Sequence, residues 1–272
     1  MLNILFWNIN TKPLYSQIAS IAHEYNVDII ALAESNLESG EVLARLNKGS
    51  SEYYYAPSSV QEYDRIQVFT KFDRRYIQSL KDASRYSIRH LNIPNKPDIL
   101  VVMVHLQSKL HADENNQQLG AQNLIGAVQE AEEKVGHDRT ILLGDFNMNP
   151  FESGLVNATG LHAVMSRGRA EKSHRSIDGQ SYKFFYNPMW RLMGDETQLT
   201  PGTYHYVSSS VQEYFWHTFD QFLVRPPLME FLPSNQPQII SNIGNESLLN
   251  ANGIPNKNSA SDHLPVFASL KF

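Results

Sequence analysis

The sequence contains no cysteine. That absence excludes disulfides, thiolate catalysis and cysteine-ligated zinc or iron–sulfur sites, and it accords with a reducing compartment. A surplus of positive charge is also missing: 23 Lys and Arg stand against 28 Asp and Glu, for a formal net charge of −5. No Lys/Arg run is present. A basic face of the kind that holds nucleic acid by neutralising phosphates would have to be gathered by folding from scattered residues: Lys71, Arg74, Arg75, Arg85, Lys109, Arg167 and Arg169. Taken singly, most of these read as solvated surface charges. No apolar run approaches the roughly 20 residues needed to cross a bilayer. The opening MLNILFWNIN lacks the basic n-region and small-residue cleavage site of a signal peptide. The expectation is a soluble, cytoplasmic chain with no membrane partner and no obligate protein partner.

What is present is ordinary globular material: 272 residues, 42 % hydrophobic and 19 % charged, without repeats, linkers or low-complexity stretches. One domain spanning 1–272 is expected. Apolar runs predict buried strands at Leu2–Asn8, Val27–Ala33, Asp98–Leu106, Thr140–Leu143 and Leu264–Phe272. Strand propensity adds Tyr53–Ala56, Arg65–Lys71, Tyr86–Ile93, Thr203–Val207, Glu213–Val224 and Ile239–Ile243. Helical spacing predicts a helix opening at Pro13, a short one over Glu41–Lys48 and a long one over Asn115–Val135 stopped by Gly136. Phe151–Asn157 fits a short helix after Pro150, and Asn245–Ser261 reads as a loop. Strands follow one another directly while helices are interleaved, which suggests mixed sheets packed together with helices outside.

The polar residues that interrupt this pattern sit in or at the ends of apolar strands. Trp7-Asn8, with Asn10, follows the first strand; Glu34 follows IIALA; His105 lies in VVMVHLQSK; Asp145 and Asn147 stand in LLGDFNMNP; Asp220 in HTFDQFLV; Asp262-His263 in SDHLP. Strand ends are where a rigid scaffold delivers side chains to a shared site. If the strand continues through GDFN, Asp145 and Asn147 share one face, with Gly144 permitting close backbone approach. In isolation each cluster has a plainer reading. GDFN fits a turn stabilised by its own Asp and Asn, Glu34 a surface charge at a sheet edge, Asp262 a turn cap, and His105 a hydrogen-bonded core histidine. Their joint occurrence in order is what points to chemistry. No G-x-S-x-G elbow, phosphate-binding G-x-x-x-x-G-K-[ST] loop or H-E-x-x-H zinc motif is present.

The ordered set WN, E, HL, GDFN, D and SDH resembles the endonuclease/exonuclease/phosphatase superfamily, the deoxyribonuclease I-like metal-dependent phosphodiesterases, over residues 3–270. The resemblance implies an α/β (α+β) fold: two mixed sheets packed face to face, with helices on both outer faces. It implies that Glu34 is the principal ligand of Mg²⁺, for which Mn²⁺ may substitute, with Asn8, Asn10 and Asp262 near the ion. Asp145 would align or deprotonate the attacking water, and Asn147 would hold the phosphate or water. His263 would contact the phosphate and Asp220 would keep it protonated. His105 would contact phosphate or assist the leaving group. Oxygen donors of this kind suit a hard divalent cation. Ser108 and Lys109, after HLQ, fall near the implied phosphate, and FDQFLV departs from the more usual LDYIL-type strand while keeping Asp220.

For the substrate, the expectation is nucleic acid. Aromatics between GDFN and Asp220 offer surfaces on which bases stack, with Tyr186 and Trp190, beside Pro188, as the candidates. Tyr204, Tyr206 and Phe215 are expected to pack into strands. The alternative is a phospholipid headgroup or small phosphorylated molecule, for which an exposed apolar hairpin or a dense Lys/Arg pocket would speak. A third reading, a binding module without catalysis, would require loss of Glu34, Asp145 or His263, and all three are present.

Overall fold

Alternation along the central strands decides how the layers stack. In Ile99–His105, Val101 and Met103 face one apolar cluster, while Leu100, Val102 and Val104 face another. In Thr140–Asp145, Ile141 and Leu143 point to the first and Leu142 to the second. Side chains of a strand alternate between faces, so a strand apolar at every position must be covered on both sides. A computed structural model, describing residues 1–49, 52–57, 66–194 and 200–272, gives that arrangement.

In chain order the elements begin with β1 (Leu2–Asn8), α1 (Tyr15–Glu24), β2 (Ile29–Ala33), α2 (Ser39–Leu46) and β3 (Ile66–Thr70). There follow β4 (Ile77–Ala83), β5 (Tyr86–Leu91), β6 (Ile99–His105), α3 (Glu114–Val135), β7 (Thr140–Asp145) and α4 (Ser153–Val156). Next come β8 (Ala163–Val164), α5 (Arg167–Ala170), β9 (His174–Ile177), β10 (Gln180–Lys183) and β11 (Phe185–Tyr186). The chain finishes with β12 (Tyr204–His205), β13 (Trp216–His217), β14 (Asp220–Val224), β15 (Gln238–Ile239), β16 (Asn242–Ile243), β17 (Glu246–Ser247) and β18 (Val266–Leu270).

Two mixed sheets result, one of five strands in the order β15-β18-β1-β2-β3 and one of seven in the order β4-β5-β6-β7-β14-β11-β8. Their facing sides meet in a cluster that includes Ile4, Phe6, Val101, Met103, Ile141 and Phe222, all buried. Ile18 and Ile21 of α1 and Val42 and Leu46 of α2 join this cluster. Leu124 and Val128 of α3 close the other face of the seven-stranded sheet. This is the expected sandwich. Helix α3 opens on Asp113, whose side chain accepts the Asn116 N–H at 2.8 Å, and stops at Gly136 in the left-handed conformation, φ +74°.

The register places the chemistry. Strands β1 and β2 are parallel, as are β6 and β7, so Asn8, Glu34, His105 and Asp145 all fall at C-terminal strand ends. Strand β14 runs antiparallel to β7 and begins with Asp220 opposite Asp145. Strand β18 runs antiparallel to β1, which brings Asp262 and His263 to the same edge.

Several local expectations are corrected. Tyr53–Ala56 forms only one bridge, Tyr55 to Thr70, and Ile239–Ile243 is split into two short strands. Strand β4 was not anticipated: as an outer strand its sequence IQSLKDA is mostly polar and half-exposed. Arg65, the start of one predicted strand, lies outside the described residues; Ile66–Thr70 is strand. Among the described residues no helix is long and apolar enough to cross a membrane.

Candidate active site

The strand ends converge on a cavity of about 1010 Å³ whose lining includes Asn10, Glu34, Asp145, Asn147, Asp262 and His263. Asn8 ties its floor together from below. Its Nδ2 donates to Glu34 Oε1 at 3.2 Å and to Asp145 Oδ2 at 3.0 Å, and its Oδ1 accepts the Asn10 N–H at 3.1 Å. One buried amide thus sets the spacing of two carboxylates that would otherwise repel. His105 reinforces it: Nε2 lies 3.4 Å from Glu34 Oε1 and 4.0 Å from Asp145 Oδ2. The His105 side chain is only 7 % exposed and stands beneath the carboxylates, not among the cavity-lining residues.

Asp145 and Asn147 both reach the cavity, but not by sharing a strand face. Strand β7 ends at Asp145; Asn147 takes a left-handed backbone, φ +51°, and its N–H donates to Asp145 Oδ1 at 2.8 Å. GDFN is therefore a turn stabilised by its own aspartate and also a source of cavity ligands. Glu34 and Asn10 share the left-handed backbone, φ +48° and +45°. Such backbones cost on the order of 1–3 kcal/mol each for ordinary residues and cluster at functional sites.

The SDH segment is locked to β1. Ser261 Oγ donates to the Asn8 carbonyl at 2.7 Å and accepts the His263 N–H at 3.1 Å. Trp7 Nε1 donates to the His263 carbonyl at 2.9 Å. His263 Nδ1 is 2.8 Å from Asp220 Oδ2, and Asp220 is wholly buried. Burial opposes the charged imidazole and also pushes the Asp220 carboxyl up, but their mutual attraction keeps the proton on the ring. With Asp145 and Asp262 adding negative potential, the His263 pKa is pushed up to about 10. Nδ1 is engaged, so Nε2 is the donor left for the cavity. Glu34 moves the other way: the His105 hydrogen bond outweighs burial, Asn8 assists, and its pKa falls to about 2.

The carboxylate of Glu34, its side chain 40 % exposed, opens into the cavity beside Asn10 and Asp262. This is an all-oxygen donor set, with Glu34 held in its ionised form, suited to a hard divalent cation. Asp145, Asp220 and His263 also lie close enough to share an ion, but the charged His263 facing Asp220 makes that group an ion pair. A third group, His90, Asp98 and His137, occupies the opposite end of the sheet. There Arg139 Nη2 donates to the Asp98 carboxylate and the Arg139 backbone N–H donates to His137 Nδ1 at 3.2 Å. That leaves the ring proton on His137 Nε2, facing Asp98 at 3.2 Å, which suits a charge network and not a cation.

The implied substrate residues divide. Ser108 and Lys109 line the cavity; Lys109 Nζ donates to both carboxylate oxygens of Glu152 at 2.6 Å. Tyr186 does not reach the cavity: it pairs with Val224 in the sheet, beneath the Arg167 guanidinium. Trp190 packs behind Phe151 with ring centroids 6.3 Å apart and is not a lining residue either. Among the described residues, the aromatics that do line it are Phe151, Tyr204, Tyr206, Tyr214 and Phe219, together with His217. The strand propensity around Tyr204 and Trp216 was visible in the sequence. What was not visible is that the strands are two residues long and joined by a projecting hairpin. Of the scattered basic residues, Lys109 alone is at the cavity; Lys71 pairs with Glu52, Arg75 with Asp73, and Arg167 donates to the Met229 and Leu232 carbonyls.

Residues 5–263 match the model of the Endonuclease/Exonuclease/phosphatase family. The chain belongs to that family. It is accordingly a metal-dependent hydrolase of phosphate esters. Several solved structures share its fold. The 3′ phosphatase NExo from Neisseria, in a variant bound to product DNA hairpin, has TM-score 0.58 at 15 % identity and full coverage of both chains. An endonuclease/exonuclease/phosphatase family protein from Leptotrichia buccalis gives TM-score 0.57 at 12 % identity, again covering both chains fully. Truncated Caenorhabditis elegans TDP2 gives 0.55 at 15 % identity, with 100 % of this chain and 98 % of that one covered. At these identities the likeness is one of fold. No curated protein sequence matches the chain.

Proposed function

We propose that the protein is a Mg²⁺-dependent phosphodiesterase that hydrolyses nucleic acid by attack of water. The observation that carries the reading is the pairing, across one cavity, of an amide-linked carboxylate floor, Glu34–Asn8–Asp145, with a protonated histidine, His263 on Asp220. Each half supplies what the other lacks: one an acceptor for the water proton, the other a donor for phosphate oxygen.

Asp145, fixed by Asn8 and the Asn147 N–H, orients a water molecule and accepts its proton as oxygen adds to phosphorus. The bond to the leaving oxygen breaks, and that oxygen leaves as an alcohol after protonation by solvent. His263 Nε2 donates to a non-bridging oxygen, where negative charge grows. Asn147 borders the same space and helps hold phosphate or water. His105 is a positioning residue, aligning Glu34 from below. Glu34, with Asn10 and Asp262 beside it, would hold the divalent ion. When bound, that ion neutralises phosphate charge and polarises the phosphoryl oxygen. The DNA-bound NExo structure and Danio rerio TDP2 in complex with single-strand DNA product support nucleic acid as the substrate class, as do the cavity aromatics.

The test is turnover of labelled single- and double-stranded DNA and RNA with Mg²⁺ and with chelator. Glu34→Gln and His263→Ala variants run alongside. The expected result is metal-dependent cleavage reduced on the order of 10²–10³-fold in each variant. Turnover confined to sphingomyelin or inositol phosphates would retain the site and reject the substrate. Cleavage indifferent to both variants would reject the site.

A further inference from the structure

The cavity is built against the recognition of a phosphate backbone. Beyond Glu34, Asp145 and Asp262, which are assigned to the ion and the water, three more carboxylates border it: Glu114, Glu152 and Glu213. Among the described residues, three basic side chains stand against them. Lys109 is held by both oxygens of Glu152. His217 is driven toward its neutral form by burial and then by Lys109. His263 is engaged by Asp220 and, in the proposed mechanism, is given to the reacting phosphate. Beyond the reacting group, little is left to neutralise further phosphates, so affinity must come from uncharged contact.

Aromatic surface is what the walls offer. Tyr204 lies 4.6 Å from His263 between ring centroids. Tyr206, two residues on, is nearly parallel to it, at 6.4 Å and 12°. The two rings form a ladder leading outward from the reacting end. Tyr206 is 46 % exposed, so that much of its ring faces the solvent of the cavity. Tyr214, 48 % exposed, leans edge-on against Phe151 at 5.6 Å, a second aromatic surface on the same cavity. Both tyrosines belong to the segment joining β12 and β13, the backbone N–H of Tyr206 donating to the Phe215 carbonyl at 2.8 Å.

We infer that Tyr206 and Tyr214, with Phe151, form a subsite for unpaired nucleobases adjoining the scissile phosphate. The protein thus selects single-stranded substrate by stacking and leaves the duplex backbone unread. The inference rests on the nucleic-acid reading of the active site. Base–aromatic stacking is tolerant of sequence, so the subsite discriminates base from no base, and unpaired from paired, without choosing among the four bases. A bilayer is the competing occupant, because Val207, Val211 and Phe215 on the same hairpin are exposed. Ser208, Ser210, Gln212 and Glu213 intervene between them, and Tyr206 and Tyr214 face the cavity. Both features favour a base.

The experiment compares cleavage of a short single-stranded oligonucleotide with that of the same strand carrying abasic residues beside the scissile phosphate, so that phosphate count is constant. The expected result is a fall in kcat/KM on the order of 10-fold on removing the bases. Tyr206→Ala should bring that ratio toward one and Tyr206→Phe should restore it. Raising salt should lower kcat/KM with a logarithmic slope shallower than about −1.4, the value for two neutralised phosphates on a single strand. Equal cleavage of intact and abasic strands, a ratio unmoved by Tyr206→Ala, or a slope at or beyond that value would overturn the inference while leaving nuclease activity standing. Turnover of sphingomyelin vesicles with no cleavage of any strand would instead overturn the nuclease reading itself.

Discussion

The floor and the rim of the cavity are made in opposite ways. Floor residues sit at the ends of strands buried on both faces, and each is held by named hydrogen bonds: Asn8 to two carboxylates, Asp145 to the Asn147 N–H, His263 to Asp220. The rim hairpin rests on two two-residue strands and exposes Val207, Val211, Tyr214 and Phe215. Bond-making chemistry needs fixed geometry, whereas stacking on bases tolerates adjustment. The contrast implies that rate resides in the floor and choice of substrate in the rim.

The sharpest way to test the floor's rigidity is Gly144→Ala. Gly144 lies at φ +148°, and a Cβ there would sit 2.0 Å from the Val104 carbonyl oxygen on the neighbouring strand. Separating β6 from β7 is expected to cost more than about 4 kcal/mol, read as a fall in the denaturation midpoint or as failure to fold. Val211→Ser on the rim should change stability by less than about 0.5 kcal/mol. Comparable losses at the two positions would erase the contrast.

Next in size is the histidine pair. Because its folded pKa, about 10, stands above the ordinary value of 6.5, His263 contributes stability that is fully present below about pH 6.5. That contribution is lost as pH rises through about 10. Glu34 runs the other way: its contribution is present above about 4.5 and lost as pH falls through about 2. In Asp220→Asn the partner charge is gone, and the alkaline limb of the pH–activity profile should move toward neutrality. NMR titration of the His263 ring would measure the same change directly. An unshifted limb would detach Asp220 from the role given to it.

A smaller loss is expected of Asn8→Ala, which leaves Glu34 and Asp145 in place but unlinked: on the order of 10–100-fold in kcat/KM, the range for residues that orient ligands. Calorimetric titration with Mg²⁺ should show weakened binding. If affinity is unchanged, Asn8 does not set the carboxylate spacing. Smallest of all is Tyr206→Ala, with an effect on the order of 10-fold on base-bearing strands.

The same contrast governs what the sequence reveals. Glu34, Asp145 and His263 are legible as candidates because a polar residue at either end of an apolar run is conspicuous, and because strands buried on both faces announce themselves by composition. Asn8's double hydrogen bond and the position of His105 beneath the carboxylates are tertiary facts that no local pattern encodes. Tyr186 was a reasonable stacking candidate in an irregular stretch, yet pairing with Val224 draws it into the sheet. Tyr206 was expected to pack into a strand, but its strand ends at His205. Two-residue strands carry too little periodicity to say which way a tyrosine points.

The most direct measurement of the division between floor and rim is kcat/KM for intact and abasic single strands in His263→Ala and in the double variant Tyr206→Ala/Tyr214→Ala. The account predicts that His263→Ala lowers both substrates by on the order of 10²–10³-fold and preserves their ratio, while the double variant brings the ratio toward one. A rim variant that lowers both substrates equally, or a floor variant that alters the ratio, would contradict it.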